Sequence, residues 1–222
     1  NYSYNKNKIK KISNALKEQN EQNQKKGGIV PLPIYEEGQS LTAIKVVPSA
    51  GIDPVTGNEI FIKRDGSYTM TYDANDKVIF GDSTPFGIGS LSSYLTYKQF
   101  SLGTSFRYSF GGSIYNQTLA TKVEGSDPRY NADERVFNDR WKQPGDIAKY
   151  KKISDSSVPQ QTSRFLQTNN YITLSSLSLA YEVPAEKLKK FGLRRLHLEM
   201  IANDLFYWST AKRERGLSYP YD

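Results

Sequence analysis

The clearest pattern in the chain runs from residue 100 to residue 111. Phe100, Leu102, Thr104, Phe106, Tyr108 and Phe110 alternate there with Ser101, Gly103, Ser105, Arg107, Ser109 and Gly111. A period of two without a slip predicts a strand with one aromatic and aliphatic face and one small or polar face. Its length exceeds the ~5–6 residues of a typical strand and suits a tilted membrane strand, which needs about 9–11. Leu91, Ser93, Leu95 and Tyr97 form a weaker stripe just before it, and only Lys98 and Gln99 separate the two runs, which predicts a tight hairpin. Tyr97 and Phe100 at the turn, with Tyr108 and Phe110 at the far end, stand where an interfacial aromatic girdle would lie.

The same period returns between Tyr171 and Val183, with Leu177, Leu179, Tyr181 and Val183 on one face and Ser176, Ser178, Ala180 and Glu182 on the other. Pro184 ends it, and residues 185–192 read as one or two helical turns closed by Gly192. Leu196, Leu198, Met200 and Ala202 then alternate with Arg195, His197, Glu199, Ile201 and Asn203. The polar side of such strands is solvent in a soluble sandwich and a water-filled interior in a barrel, and the period alone does not separate the two.

The segments between these runs are long. Residues 49–86 and 112–167 are rich in Gly, Pro, Asp, Asn and Ser and hold only short strand-like pieces, such as Glu59 to Lys63 and Ser67 to Tyr72 around the Arg64-Asp65-Gly66 turn. Loops of that length are uncommon in compact domains. Tight turns at one end and long loops at the other match the asymmetry of outer-membrane barrels. The expected barrel strands are 1–10, 38–48, 87–97, 100–111, 168–183 and 195–204. Six do not close a barrel with a channel. For residues 9–24, Ile9, Ile12 and Leu16 allow a surface helix, but three apolar residues make a weak stripe, and a strand end running into a polar connection is preferred.

Composition changes the picture in three places. The hydrophobic share is 37% and the mean hydropathy −0.64, yet 16 Tyr and 10 Phe argue for a mainly folded chain. No run approaches the roughly 18 apolar residues of a membrane-spanning helix. Of the net charge of +7, a local +5 comes from seven Lys and two Glu in residues 1–28, so the remainder is nearly neutral and offers no continuous groove for nucleic acid. Cysteine is absent, which removes disulfides, thiolate metal sites and cysteine nucleophiles.

Catalytic constellations fail on inspection. The only histidine, His197, lies between Arg195 and Glu199 on the polar side of a strand, a setting for charge pairing. Gly103-Thr104-Ser105-Phe106-Arg107 lacks the closing glycine of a nucleophile elbow. Gly87-Ile88-Gly89 lacks the rest of a dinucleotide fingerprint. Asp73-Ala74-Asn75-Asp76-Lys77 puts a cation where a calcium loop needs a ligand. Asp133, Glu134, Asp139 and Asp146 are loop carboxylates of unknown separation. No catalytic, cofactor or metal residue is expected.

Three stretches together resemble the C-terminal part of the barrel in the SusC/RagA family of TonB-dependent outer-membrane transporters from Bacteroidetes. The first begins at Gly51-Ile52-Asp53-Pro54-Val55-Thr56-Gly57, continues through Asp65-Gly66-Ser67-Tyr68-Thr69 and Thr84-Pro85-Phe86-Gly87, and ends with Tyr97-Lys98-Gln99-Phe100-Ser101-Leu102 and Ile114-Tyr115-Asn116. The second is Arg140-Trp141-Lys142-Gln143-Pro144-Gly145-Asp146. The third is 170–184, followed by Ala202-Asn203-Asp204-Leu205-Phe206-Tyr207-Trp208. Phe86-Gly87-Ile88-Gly89 lacks the family's usual basic residue, Thr173 replaces a common arginine, and Ala202 replaces a glycine.

The resemblance implies an all-β fold: a transmembrane antiparallel β-barrel segment, part of a barrel of about 22 strands with long extracellular loops. Residues 1–222 would be the C-terminal portion of that barrel. The ending Tyr219-Pro220-Tyr221-Asp222 stops before the family's last strand, and the plug and the TonB-contacting segment are expected elsewhere. The implied function is import of nutrient oligomers, glycan or peptide, across the outer membrane beneath a SusD-like surface lipoprotein lid. Lys98-Gln99 and 184–194 would face the periplasm, 49–86, 112–167 and 205–218 the outside, and 11–37 would be a long periplasmic connection. Arg107, Glu182, Arg195, His197 and Glu199 are candidates for plug contact or the substrate route, with charge pairing that steadies the barrel wall as the alternative. Trp141, Tyr150, Tyr207 and Trp208 fall on expected outer loops, where aromatics stack on sugars, meet the lid or simply pack. The competing reading is a soluble β-sandwich that binds carbohydrate.

Overall fold

The structure is a computed structural model that describes residues 1–127, 129–130 and 132–211. In chain order the strands are β1 (Tyr2–Tyr4), β2 (Ala43–Val46), β3 (Ser49–Ile52), β4 (Glu59–Ile62), β5 (Tyr68–Thr69), β6 (Val78–Asp82), β7 (Gly87–Tyr97), β8 (Phe100–Tyr115), β9 (Leu166–Glu182) and β10 (His197–Ser209). The α-helical segments are α1 (Asn14–Lys25), α2 (Arg135–Asn138) and α3 (Ala185–Leu188). No helix among the described residues is long and apolar enough to cross a membrane. The described residues divide into two compact units: Asn1–Asn5 with Pro85–Gly112 and 169–211, and Lys6–Thr84 with Ser113–Thr168.

The first unit is one antiparallel sheet in the order β1-β7-β8-β9-β10. Tyr97 pairs with Phe100, so β7 and β8 join through a two-residue turn in which Lys98 takes φ 55°. The register sets Gly89, Leu91, Ser93, Leu95 and Tyr97 opposite Tyr108, Phe106, Thr104, Leu102 and Phe100. Residues directly opposite share a face, so the two stripes read from the sequence merge into one apolar face. Ser90, Ser92, Tyr94 and Thr96 pair with Arg107, Ser105, Gly103 and Ser101 on the other face. Met200, Leu198 and Ala202 lie opposite Leu179, Tyr181 and Leu177, while Glu199, Ile201 and Asn203 lie opposite Ala180, Ser178 and Ser176.

No second layer covers the apolar face among the described residues. Leu102 and Phe110 keep 37% and 36% of their surface, and Leu95, Tyr97, Leu198 and Met200 are also exposed. A sandwich would have sealed this face against a second sheet about 10 Å away. The fold is therefore an antiparallel barrel segment, with β8 and β9 reaching sixteen and seventeen residues.

Two features re-aim side chains. Gly111 takes φ 83°, and the Phe86 ring lies where a Cβ would stand, so only glycine fits. In β10 the register shifts between Asn203 and Phe206, with Asp204 at φ 52°. One extra residue in a strand reverses which side its successors face. Phe206 and Trp208 consequently lie opposite Leu174 and Ile172 on the polar-side parity, and Tyr207 opposite Thr173 on the apolar side.

The sequence reading needs correction in five places. Five strands, not six, make the barrel sheet. The 38–48 alternation forms β2, which pairs with β6 in a separate two-stranded sheet where Val46 and Val47 are fully buried, so its apolar side meets protein rather than lipid. Only Tyr2–Tyr4 of 1–10 is strand, and 14–25 is helix. Tyr4 pairs with Gly87, so the chain leaves and re-enters the sheet at the same end. Residues 11–37 are therefore part of the one long connection from β1 to β7 rather than a separate connection between two barrel strands. Finally, the strand expected to stop at 204 runs to Ser209, while 212–222, including Tyr219 to Asp222, lie outside the described residues.

Helix α1 escaped the hydrophobic pattern because amides hold it. Ser13 caps it, its Oγ accepting from the Leu16 N–H. Asn20 and Asn23 donate to the carbonyls of Tyr35 and Pro33, and Gln24 donates to that of Ala74. The Lys77 ammonium donates to the Gln24 and Lys26 carbonyls at the helix C-terminus, where a cation is favoured. Burial pulls the Lys77 pKa down.

The second unit also holds the sheet β3-β4-β5 and a core of Ala120, Val123, Val136, Tyr150 and Phe165. Beside it Arg164, 10% exposed, meets two carboxylates that are almost fully buried. Its Nε and Nη2 donate to Glu59 at 2.7 and 2.6 Å, and its Nη1 and Nη2 to Glu124 at 2.7 and 2.8 Å. Burial alone would lower the Arg164 pKa, but hydrogen bonds and charge from the two carboxylates outweigh it and raise it. This cluster ties β4, the π-helical turn Leu119–Glu124 and the entry to β9 together.

Tyr72 packs edge-on to Phe61 with a buried hydroxyl that has no hydrogen-bond partner. Burial, then the charges of Asp73 and Glu59, push its pKa up to about 12. Between the ordinary value near 10 and about 12 the unfolded chain loses this proton while the folded one keeps it. Its contribution to stability is thus whole below about 10 and lost as pH rises through that window. Tyr72→Phe is expected to stabilise the unit by about 1 kcal/mol and to remove this alkaline loss. Urea unfolding on either side of the window checks both, and a destabilised variant would refute the unpaired hydroxyl.

Candidate functional site

On the polar face of the sheet, four of the five expected route residues come together at the end near the tight turn. Arg195 donates from Nε and Nη2 to Glu182 at 2.6 and 3.1 Å, His197 Nδ1 lies 2.9 Å from the same carboxylate, and His197 Nε2 lies 4.0 Å from Glu199. All four remain partly or largely exposed, so the pairing contributes little to stability. Arg107 is apart: it sits opposite Ser90, six residues along β8 from Ser101, about 20 Å at strand rise. It has no ion-pair partner among the described residues. Midway between lies a shallow hollow of about 330 Å³, lined by Ser92, Tyr94, Gly103, Ser105, Ser176 and Ser178. A Cβ on Gly103 would collide with the Ser178 hydroxyl, so the glycine keeps this hollow open. Sequence reading passed over these residues as spacers between apolar positions, although their shared smallness was the available signal.

The chemistry of this face is that of a water-lined wall: hydroxyls, one free guanidinium and a carboxylate–arginine–histidine group. Among the described residues no group of His, Asp and Glu is placed to hold a metal ion.

The four candidate aromatics separate. Tyr150 is 6% exposed, inside the core of the second unit, so it packs rather than presenting a ring to a ligand. Tyr207 and Trp208 are not on a loop but in β10. Tyr207 stacks on Tyr171 with centroids 5.9 Å apart on the apolar side, and Trp208 lies on the other side. Trp141 alone is a loop aromatic at a half-exposed position.

Trp141 is held by the two sequence motifs that accompany it. The Pro54 carbonyl accepts from the indole Nε1 at 2.9 Å and from the Gly145 N–H at 2.8 Å. Gly57, at φ 71°, lies flat against the indole, where any Cβ would overlap the ring. Asp53 fixes the turn by accepting from the Val55 and Thr56 N–H groups, and Asp146 does the same for Lys142 and Gln143. The two glycine-containing loops are therefore one structure, built to immobilise a tryptophan.

No family model matches the chain. It is 27% identical over 157 residues to TonB-dependent receptor P39 of Formosa agariphila, covering 69% of this chain and 15% of that protein. It is also 29% identical over 164 residues to TonB-dependent receptor P3 of the same organism, covering 71% and 15%. Among solved structures, the RagAB peptide transporter superposes with a TM-score of 0.76 at 21% identity over 95% of this chain and 23% of that one. The RagAB peptide importer in its open-open state gives 0.74 at 22% identity over 97% and 23%. The chain thus spans about 15% of the length of the curated relatives it matches. By sequence over most of its length, and by fold over nearly all of it, the chain resembles a barrel segment of TonB-dependent receptors of the SusC/RagA kind.

Proposed function

We propose that the chain is the C-terminal portion of the barrel of a TonB-dependent outer-membrane importer. In this reading it takes up nutrient oligomers under a SusD-like surface lipoprotein, energised by TonB through the plug. The observation that carries the reading is the single-layer sheet with Leu95, Leu102 and Met200 exposed on one face and Ser105, Ser178 and Glu199 on the other. Such a wall is stable only where one side meets hydrocarbon and the other water. The relatives are receptors and transporters, which supports transport rather than catalysis. RagAB is a peptide importer, and a lipoprotein partner for this chain rests on the resemblance to the SusC/RagA family. The charged cluster around Glu182 lies where the wall meets the periplasmic side and serves plug contact or steadies the wall.

Single cysteines introduced into the intact receptor test the wall, since this chain contributes none of its own. In outer-membrane vesicles, cysteines replacing Ser105, Ser178 or Glu199 are expected to react with a charged maleimide, and those replacing Leu95, Leu102 or Met200 only with a lipid-soluble one. Equal labelling of both sets would sink the proposal. Uptake that stops when the inner-membrane gradient is collapsed, and co-purification of a lipoprotein with the tagged receptor, test the energy source and the lid.

A further inference from the structure

The importer reading leaves unassigned a cleft of about 310 Å³ in the second unit, bordered by Phe137, Arg140, Trp141, Lys142, Lys152 and Ile153. Val136 and Ser154 complete its lining, so three of eight residues are cations and none is an acid. Arg140 is only 6% exposed, and its Nε and Nη2 donate to the carbonyls of Val136, Val123 and Glu124, with no carboxylate among the described residues within ion-pair distance. Carbonyl acceptors satisfy its hydrogen bonds, and the Glu124 and Asp155 carboxylates act on its charge without pairing directly with it. The Lys142 and Lys152 ammonium groups likewise have no ion-pair partner among the described residues. The nearby acids pair with other groups: Glu124 with Arg164, Asp139 with Lys149, Asp155 with Lys151, and Asp146 with backbone N–H groups. The cleft is thus a half-enclosed positive site beside an immobilised indole and the exposed ring of Phe137.

The backbone narrows the class of occupant. A peptide is usually recognised through main-chain hydrogen bonds along a free edge. Here the Trp141 N–H is donated to the Tyr150 carbonyl, the Lys142 N–H to Asp146, and the Lys152 N–H to the Gly57 carbonyl. Beside these engaged donors the cleft offers side-chain cations, ring faces and the Ser154 hydroxyl. Such a combination suits a ring with a flat C–H face and an anionic substituent, and the volume suits a short stretch of a sugar chain.

We propose that this cleft is a binding subsite for anionic sugar units, carrying a carboxylate or a sulfate ester, of an incoming oligosaccharide. The inference rests on the importer reading and names the charge class of its cargo. The cations draw the anionic group in and the pinned Trp141 carries the ring. Because Gly57 and Pro54 fix the indole before any ligand arrives, little ordering is left for binding to supply.

The test uses the intact receptor in detergent, with tetragalacturonate, a sulfated tetrasaccharide, a neutral tetrasaccharide and tetraglutamate as probes in calorimetric titrations. At least one charged sugar is expected to bind at least about tenfold more tightly than the neutral one, a difference of about 1.4 kcal/mol. Which of the two binds identifies the anionic group. The double variant Lys142→Gln/Lys152→Gln, whose side chains make no internal ion pairs, is expected to lose that preference while unfolding like the parent. Failure of both charged sugars, equal binding of the neutral one, binding of tetraglutamate as tight as that of either sugar, or an unchanged preference in the double variant overturns the subsite. Gradient-driven uptake of any nutrient by the same receptor reports separately on the importer reading, which survives if the subsite fails.

Discussion

Arginine at position 106 is expected to destabilise the assembled barrel by about 2–4 kcal/mol, and arginine at position 100 by about 0–1. Phe106 lies near the middle of the apolar stripe of β8, and Phe100 lies at the turn end of the same face. A guanidinium near the bilayer midplane must leave water, whereas one beside the headgroups snorkels out. Ser105→Arg, one residue away on the hydroxyl-lined face, is expected to change stability by less than about 0.5 kcal/mol. Urea unfolding of the intact receptor in lipid bilayers measures all three. A soluble core would penalise Phe106→Arg too, so the decisive signal is the gradient with depth along one face. Equal costs at 100 and 106 would end the membrane reading of this strand.

The second large effect concerns the second unit. Arg164→Met leaves Glu59 and Glu124 buried beside each other without their shared cation. Removing one member of a buried ionic cluster costs about 3–5 kcal/mol. The expected result is loss of hydrogen-exchange protection at amides that the cluster region holds, such as Val47 and Asn116, which donate to the Gln161 and Phe165 carbonyls. Faster trypsin cleavage within 113–165 should accompany it, while the sheet keeps its protection. Replacing all three residues with apolar ones, Glu59→Leu/Glu124→Leu/Arg164→Met, should restore most of the loss, because no charge is then stranded. If Arg164→Met leaves exchange and proteolysis unchanged, the cluster does not hold the unit.

The legible parts of the chain were those where one physical demand acts residue by residue. The hairpin of β7 and β8 and the body of β9 face two different solvents, so their faces are written in alternation. Strand 38–48 carries the same alternation for another reason, burial against protein, and the period does not distinguish lipid from core. Helix α1 was underread because Asn20, Asn23 and Gln24 hold it through amide hydrogen bonds, which leave no hydrophobic signature. The orientation of Phe206 and Trp208 depends on the backbone at Asp204, where one inserted residue inverts the parity, and nothing in the side-chain pattern announces it. The charged group at Glu182, Arg195, His197 and Glu199 was legible as neighbours in a hairpin. The cleft beside Trp141 was not, because Lys142 and Lys152 border one cleft only once Gly57 and Pro54 lock the intervening loop.

The pairing of Tyr4 with Gly87 also bears on how the wall assembles. The β7–β8 hairpin closes over two residues and can form on a microsecond scale, as short hairpins do. The β1–β7 seam must wait for residues 5–86 to be gathered between its two sides. Entropy makes that delay kinetic more than energetic, since each doubling of a flexible loop costs only about 0.6 kcal/mol. Lengthening or trimming the segment would therefore retard or hasten the zipping of one seam while scarcely altering the finished wall. Surface excursions of this kind are free to diverge in size without disturbing the strands that anchor them.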